Sequence, residues 1–245
     1  MRLLRAAILV ACLLAGWQLL FWFAGSSALT SPADTVAFTL QLVSSPSFHP
    51  HLAETAQAFA VALGIAISCG ILIGFSLGLY RFASEVAEPV LVALYSIPKI
   101  TLYPVILLLF GLGISAKIAF GVIHGIIPVI LFTMNAVRNM RPVYLRAARA
   151  MRLSAVQTAA TIIVPAALPE IVSGFRIGFA LTLLGTLIGE MFASQRGIGY
   201  MLVRAMETGD TGTVMALALL LVVLATAASA ALLRLDRRLH RVSTP

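Results

Sequence analysis

The fold class this sequence predicts is all-α: a polytopic membrane protein with about six transmembrane helices and one long cationic loop on the cytoplasmic side. Three observations predict it. Of 245 residues, 60% are hydrophobic and only 11% charged, whereas soluble domains average about 45–50% and about 25%. With a mean hydropathy of +1.02, the chain cannot keep its surface wet, so most of that surface must face lipid or other membrane helices. Apolar runs of spanning length recur along the whole chain. The net charge of +8 is gathered at the ends of those runs, which is a topology signal and not a nucleic-acid footprint.

A spanning helix needs about 20 mostly apolar residues. Six segments meet that length: Ala6–Ala24, Ala58–Tyr80, Pro89–Phe110, Ala116–Val137, Ile171–Phe192 and Thr213–Leu233. The first also has the charged start (Arg2, Arg5) and small-residue end of a signal peptide, but its apolar run exceeds the usual h-region of about 7–15 residues. An even number of spans puts both termini on one side. With the N-terminus cytoplasmic, that side holds Arg2, Arg5, Arg81, Arg138, Arg141, Arg146, Arg149, Arg152, Arg234, Arg237, Arg238 and Arg241. The other side holds Lys117, Arg196 and Arg204, while Lys99 and Arg176 lie within spans. The positive-inside rule therefore expects both termini, and the loop over 138–169, in the cytoplasm.

Between the first two spans, Gly25–Gln57 is the longest extracytoplasmic segment. Ser31-Pro32-Ala33-Asp34 reads as a helix start, followed by a short interfacial helix over Val36–Val43 and breaks at Ser44-Ser45-Pro46 and His49-Pro50-His51. Two histidines without a third ligand make no metal site. Cys12 and Cys69 sit in apolar runs and read as small buried hydrophobes.

Within the spans, Gly70/Gly74/Gly78, Gly121/Gly125, Gly174/Gly178 and Gly185/Gly189 repeat at four-residue spacing. This pattern lets helix backbones approach, for static packing or for sliding. In the third span, Pro98 and Pro104 each remove a helical hydrogen bond. Broken backbone at that depth is tolerated where it lines protein or water, which makes Ser96, Pro98 and Lys99 candidates for a translocation path. Lys99 reads equally as snorkelling to the interface. Ionisable groups inside spans add His124, Arg176 and Glu190 to the candidates. Glu190 either faces the path or bonds to backbone in the turn Ser194-Gln195-Arg196-Gly197-Ile198-Gly199.

The loop over 138–169 contains a helical stretch, Tyr144–Ala155. At 3.6 residues per turn, Tyr144, Ala148, Met151 and Ala155 share one stripe, and Arg146, Arg149 and Arg152 lie away from it. Pro165 and Pro169 are expected to end the segment after that stretch. Such a helix fits a groove on a partner protein or an anionic lipid surface.

Ala147-Ala148, Ile162 and Val164-Pro165 resemble, in spacing, the cytoplasmic EAA loop of ABC importer permeases. Ile97-Pro98, Pro104, Phe110-Gly111-Leu112-Gly113, Ser115-Ala116-Lys117, Arg138-Asn139, Leu168-Pro169 and Gly197-Ile198-Gly199-Tyr200 are similar to the nitrate/sulfonate/taurine branch of binding-protein-dependent permeases. The resemblance spans roughly Ala53 to Leu233. It implies a coupling helix, built on Arg146, Ala147, Ala148, Arg149, Met151, Arg152, Ile162 and Pro165, that docks on cytoplasmic ATPase subunits. It also implies a homodimer, an extracytoplasmic solute-binding protein, and a cargo such as a sulfonate, nitrate or taurine. ATP and Mg would belong to the partner, since this chain has no phosphate-cradling loop and no paired nucleophile and base. The sequence departs from the pattern twice: Arg146 stands where the family usually has glutamate, and Arg152 where it usually has glycine. The competing class, an ATP-independent secondary transporter or channel, calls for an internal repeat or relay carboxylates. No repeat is evident, and Glu190 is the one strong acidic candidate.

Overall fold

The computed structural model describes residues 2–25 and 28–243. The side chains of Arg2, Arg237, Arg238 and Arg241, which help set the expected orientation, lie outside the described residues. Among the described residues every regular element is helical. The order is α1 (Arg2–Ala24), α2 (Pro32–Ser44), α3 (Phe48–Leu79), α4 (Arg81–Ser96), a 3-10 turn (Lys99–Leu102), α5 (Tyr103–Phe110), α6 (Ile114–Arg138) and α7 (Pro142–Ala150). Then come α8 (Ala155–Thr158), a π turn (Ala159–Ile163), α9 (Val164–Ala193), α10 (Ile198–Glu207) and α11 (Thr211–Ser243). Five segments are long and apolar enough to cross a bilayer, and α4 with the 3-10 turn and α5 makes a sixth, bent by 85°.

Helices α3, α6 and α9 form the packed centre. A Cβ on Gly70 would lie 2.7 Å from Val129 Cγ1, one on Gly74 2.6 Å from the Ile130 carbonyl, and one on Gly78 2.7 Å from the Met134 carbonyl. Both sets of numbers ascend, so α3 and α6 run parallel, backbone against backbone. Gly174 meets Phe132, Gly178 meets Val129, and Gly185 meets Phe120. Here one set ascends as the other descends, so α9 is antiparallel to α6. Parallel α3 and α6 require one return crossing between them, and only α4–α5 can make it.

That return is where the expected third span, Pro89–Phe110, is corrected. Helix α4 starts at Arg81, and the chain turns at Ile97-Pro98 before restarting as α5. Pro98 has no N–H for the ladder and pushes Ile97 (φ −64, ψ 133) out of the helical region. Pro104 does not kink anything, because it sits in the first turn of α5, where no hydrogen bond is lost.

Three further expectations change. His49-Pro50-His51 belongs to the first turn of α3, which starts at Phe48 and not at Ala58, because Pro is tolerated there. The helix expected over Tyr144–Ala155 stops at Ala150, so Ala155 starts a new helix capped by Ser154 and Gln157. Pro165 and Pro169 do not end a helix either. Pro165 lies in the first turn of α9, Pro169 lies inside it, and a π turn before Pro165 reroutes the backbone bonds. The expected helix at Val36–Val43 is present as α2, with Ser31 capping the Asp34 N–H at 3.1 Å.

Candidate functional site: a polar clamp and a cationic helix

The end of the α3–α6–α9 centre next to α10 is held by side chains that bind backbone. Three consecutive N–H groups at the start of α10 are each caught by a different side chain. The Gly197 N–H donates to His51 Nδ1 (3.0 Å), the Ile198 N–H to Thr55 Oγ1 (2.9 Å) and the Gly199 N–H to Glu190 Oε2 (2.9 Å). Thr55 Oγ1 in turn donates to the Glu190 carboxylate at 2.7 Å. Glu190 is fully buried, and a carboxylate at a helix N-terminus meets unpaired donors and the positive end of the dipole. A Cβ on Gly197, whose φ is 118, would fall on the Glu190 carboxyl carbon. Beside this, the buried Lys117 Nζ donates to Glu54 Oε1 and to the Arg196 carbonyl, both at 2.8 Å. The clamp therefore ties α3, α6, α9 and the turn before α10 together.

Glu190 is one of the path candidates. In this geometry its carboxylate is bonded to the Gly199 backbone and to Thr55, near the C-terminal end of α9, whereas Arg176 lies near the middle of that helix. His124 is buried, and its Nδ1 sits 2.8 Å from the Phe120 carbonyl, which puts the proton on Nδ1. Ser96 and Pro98 are exposed at the break between α4 and α5. Lys99 Nζ donates to the Tyr95 carbonyl at 3.0 Å and lies 4.9 Å from the Tyr95 ring centre. It closes the C-terminal end of α4, where carbonyls lack partners. Arg176 and Tyr95 line one cavity of about 520 Å³ with Thr226 and Ser229 of α11. The structure thus places Tyr95, just before the α4 break, on one cavity wall with Arg176, and sets Glu190 in the clamp.

Sequence reasoning misses Glu54 and Thr55, weighs His51 only as half of a histidine pair too small for a metal site, and takes Lys117 only as a topology marker and part of a family motif. Thr55, which binds Glu190, and Glu54, which binds Lys117, are far from them in sequence, so no local pattern pairs them; the Gly199 turn is near enough to Glu190 to be one of its two expected settings. The legible signal is the spacing of His51, Glu54 and Thr55, which puts a polar stripe on one face of an otherwise apolar helix.

At the opposite end of the α3–α6–α9 centre, α7 carries Arg146, Ala147, Ala148 and Arg149, with Met151 and Arg152 just beyond it. Among these only Ala148 is buried, at 3% exposed. The helix closes with two bonds, Arg152 N–H to the Arg149 carbonyl (3.0 Å) and Leu153 N–H to the Ala148 carbonyl (3.1 Å). That pair defines a Schellman cap, whose penultimate residue adopts a left-handed conformation and is usually glycine. Arg152 occupies it with φ 53, the one non-glycine residue with positive φ among the described residues. Helix α10 ends in the same way with Gly209, φ 70, in that place. Ile162 lies in the π turn and Pro165 is exposed at the start of α9.

Residues 66–241 match the family described as the binding-protein-dependent transport system inner membrane component, and the chain belongs to that family. It is the permease component of an ABC importer and a multi-pass inner-membrane protein. Among its relatives, the taurine transport system permease protein of Escherichia coli (strain K12) is 30% identical over 77% of this chain and 69% of its own. The nitrate import permease protein of Synechococcus elongatus is 28% identical over 83% and 78%. In fold, the chain is similar to the inward-facing MetNI methionine ABC transporter, with a TM-score of 0.68 at 20% identity over 80% of this chain and 99% of that one.

Proposed function

We propose that two copies of this chain form the path by which a small oxyanion or sulfonate enters the cytoplasm, driven by ATP hydrolysed on separate subunits. The reading is carried by the family match over residues 66–241, joined to a cationic, nearly unpacked cytoplasmic helix. The cargoes in the names of the relatives, taurine and nitrate, support a small anion. Arg176 and the broken arm at Ser96, Pro98 and Lys99 are the groups we assign to the path, since cationic side chains and unwound backbone suit an anion. Glu190 and His124 serve it from behind, by holding α9 and α6. An extracytoplasmic binding protein delivers the solute, and both termini face the cytoplasm. The ATPases dock on α7, and their closure switches the packed helices between outward-open and inward-open states.

The test is a gentle detergent pull-down of the tagged chain from its native membrane, with the co-purifying proteins identified by mass spectrometry. We expect a cytoplasmic ATPase in near-equal amount, lost when residues 147–152 are scrambled. A chain that purifies alone and still moves solute in ATP-free vesicles would overturn the reading.

A further inference from the structure

Helix α7 has nine residues and is exposed nearly all round. Isolated helices shorter than about 12–15 residues are marginal in water, and Ala148 is the one residue of this helix that its own chain buries. Something else must cover it. Its surface is a mixture: Tyr144 and Leu145 are about two-fifths exposed and Met151 is 67% exposed. Aromatic, methionine and arginine side chains together are what protein interfaces concentrate. Around them stand Arg141, Arg146, Arg149 and Arg152, all exposed. Residues 139–169 contain no aspartate or glutamate at all. The Arg149 Nε reaches only the Leu145 carbonyl, at 3.4 Å, and the side chains of Arg141, Arg146 and Arg152 meet no hydrogen-bond or ion partner among the described residues. The fold also holds one of these arginines in place at a cost, since Arg152 takes the left-handed position of a Schellman cap that glycine fills more easily. A face with uncompensated cations around an apolar centre is complementary to an apolar cleft with carboxylates around its edge.

We infer that α7 docks in a cleft of the ATP-hydrolysing subunit that is rimmed by aspartate or glutamate side chains, and that Arg146, Arg149 and Arg152 select that subunit by charge. The inference rests on the importer reading above and adds the chemistry of the partner's surface. A cleft with a basic edge, built to receive an acidic residue, meets this helix with like charges and is rejected.

The experiment uses the full chain in nanodiscs and, as probe, the ATPase that co-purifies with it from its native membrane. Binding is measured at about 50 mM and about 300 mM NaCl, where the screening length falls from well above to well below 10 Å. The affinity is expected to drop at least about tenfold over that range, and to drop at least about tenfold in R146E/R149E/R152E at low salt. The single charge-keeping variant Arg146→Lys is expected to bind within about threefold of the original chain, since a rim pair needs charge more than fork geometry. Because α7 is exposed, these variants should elute as the original chain does on size exclusion, which separates a binding defect from misfolding. An ATPase that co-purifies but binds independently of salt and of the triple reversal overturns the acidic rim and leaves the importer reading standing. Equal ATPase affinity together with loss of retained anionic lipid in R146E/R149E/R152E overturns it in favour of a lipid surface. No co-purifying ATPase removes both readings.

Discussion

Gly197 shows how much one residue can decide. Its φ of 118 and the carboxyl group packed where a Cβ would stand leave room for hydrogen alone. Gly197→Ala should cost at least about 2 kcal/mol from backbone strain and displacement of Glu190, read as a lower midpoint in thermal unfolding of the detergent-solubilised chain. An unchanged midpoint would show that the clamp yields freely. Arg152 is the opposite case. Arg152→Gly should raise stability by up to about 1 kcal/mol by relieving the left-handed strain, while ATPase binding falls. A variant that gains both would remove the arginine from the interface. Asp210 ties the start of α11, accepting the Thr213 N–H at 3.0 Å. Hydrogen bonds from Thr213, side chain first and then backbone, hold its carboxyl below the ordinary carboxylate range. A lowered value in the folded state means stability that is present above the unfolded value and lost as pH falls through the folded one. Asp210→Ala should therefore cost about 1 kcal/mol near neutral pH, with the gap to the original chain closing as acid protonates the carboxyl. A gap that stays constant into acid would show that the charge has no part in it.

At the scale of elements, the glycine rows are the cause of the packing. With Gly74 against the Ile130 carbonyl and Thr133, Gly74→Val has to push α3 away from α6 along the contact. Overpacking of that kind costs about 1–3 kcal/mol, and the expected result is an early-eluting or aggregated peak on size exclusion. A monodisperse, fully stable variant would count against backbone-to-backbone packing. The four-residue spacing was legible in the sequence because glycine leaves a plain mark. That α3 and α6 run parallel follows from their places as second and fourth spans, but which helices met was not legible, because the same spacing marks the second, fourth and fifth spans alike. The broken arm was half legible. Pro98 signalled a break, but the size of the bend depends on how α4 and α5 each pack on α6. The end of α7 was misplaced for a related reason. The apolar stripe continues to Ala155, and only the cap at Leu153 interrupts it.

For the molecule as a whole, the arginine bias predicts α7 on the inside and the clamp on the outside. With Cys12 and Cys69 replaced by serine, Gln195→Cys should react with a membrane-impermeant maleimide in intact cells, and Arg146→Cys only after the membrane is opened. The reverse pattern would invert the protein. The clamp then closes the outer end of the α3–α6–α9 centre, and the unpacked α7 stands at the inner end, so force applied at α7 moves a unit whose far end is already tied.

Composition and periodicity alone determined that this chain is an all-α membrane protein, roughly where most of its spans fall, and which loop is cationic. They do so because lipid punishes every exposed polar group, and that leaves the apolar runs few alternatives. The tertiary structure decided the rest. It paired Glu190 with Thr55, and Lys117 with Glu54. It also joined Arg176 to the wall that carries Tyr95. These contacts link residues on different helices. Only the packing of one helix on another brings them within reach, and no pattern along the chain records it.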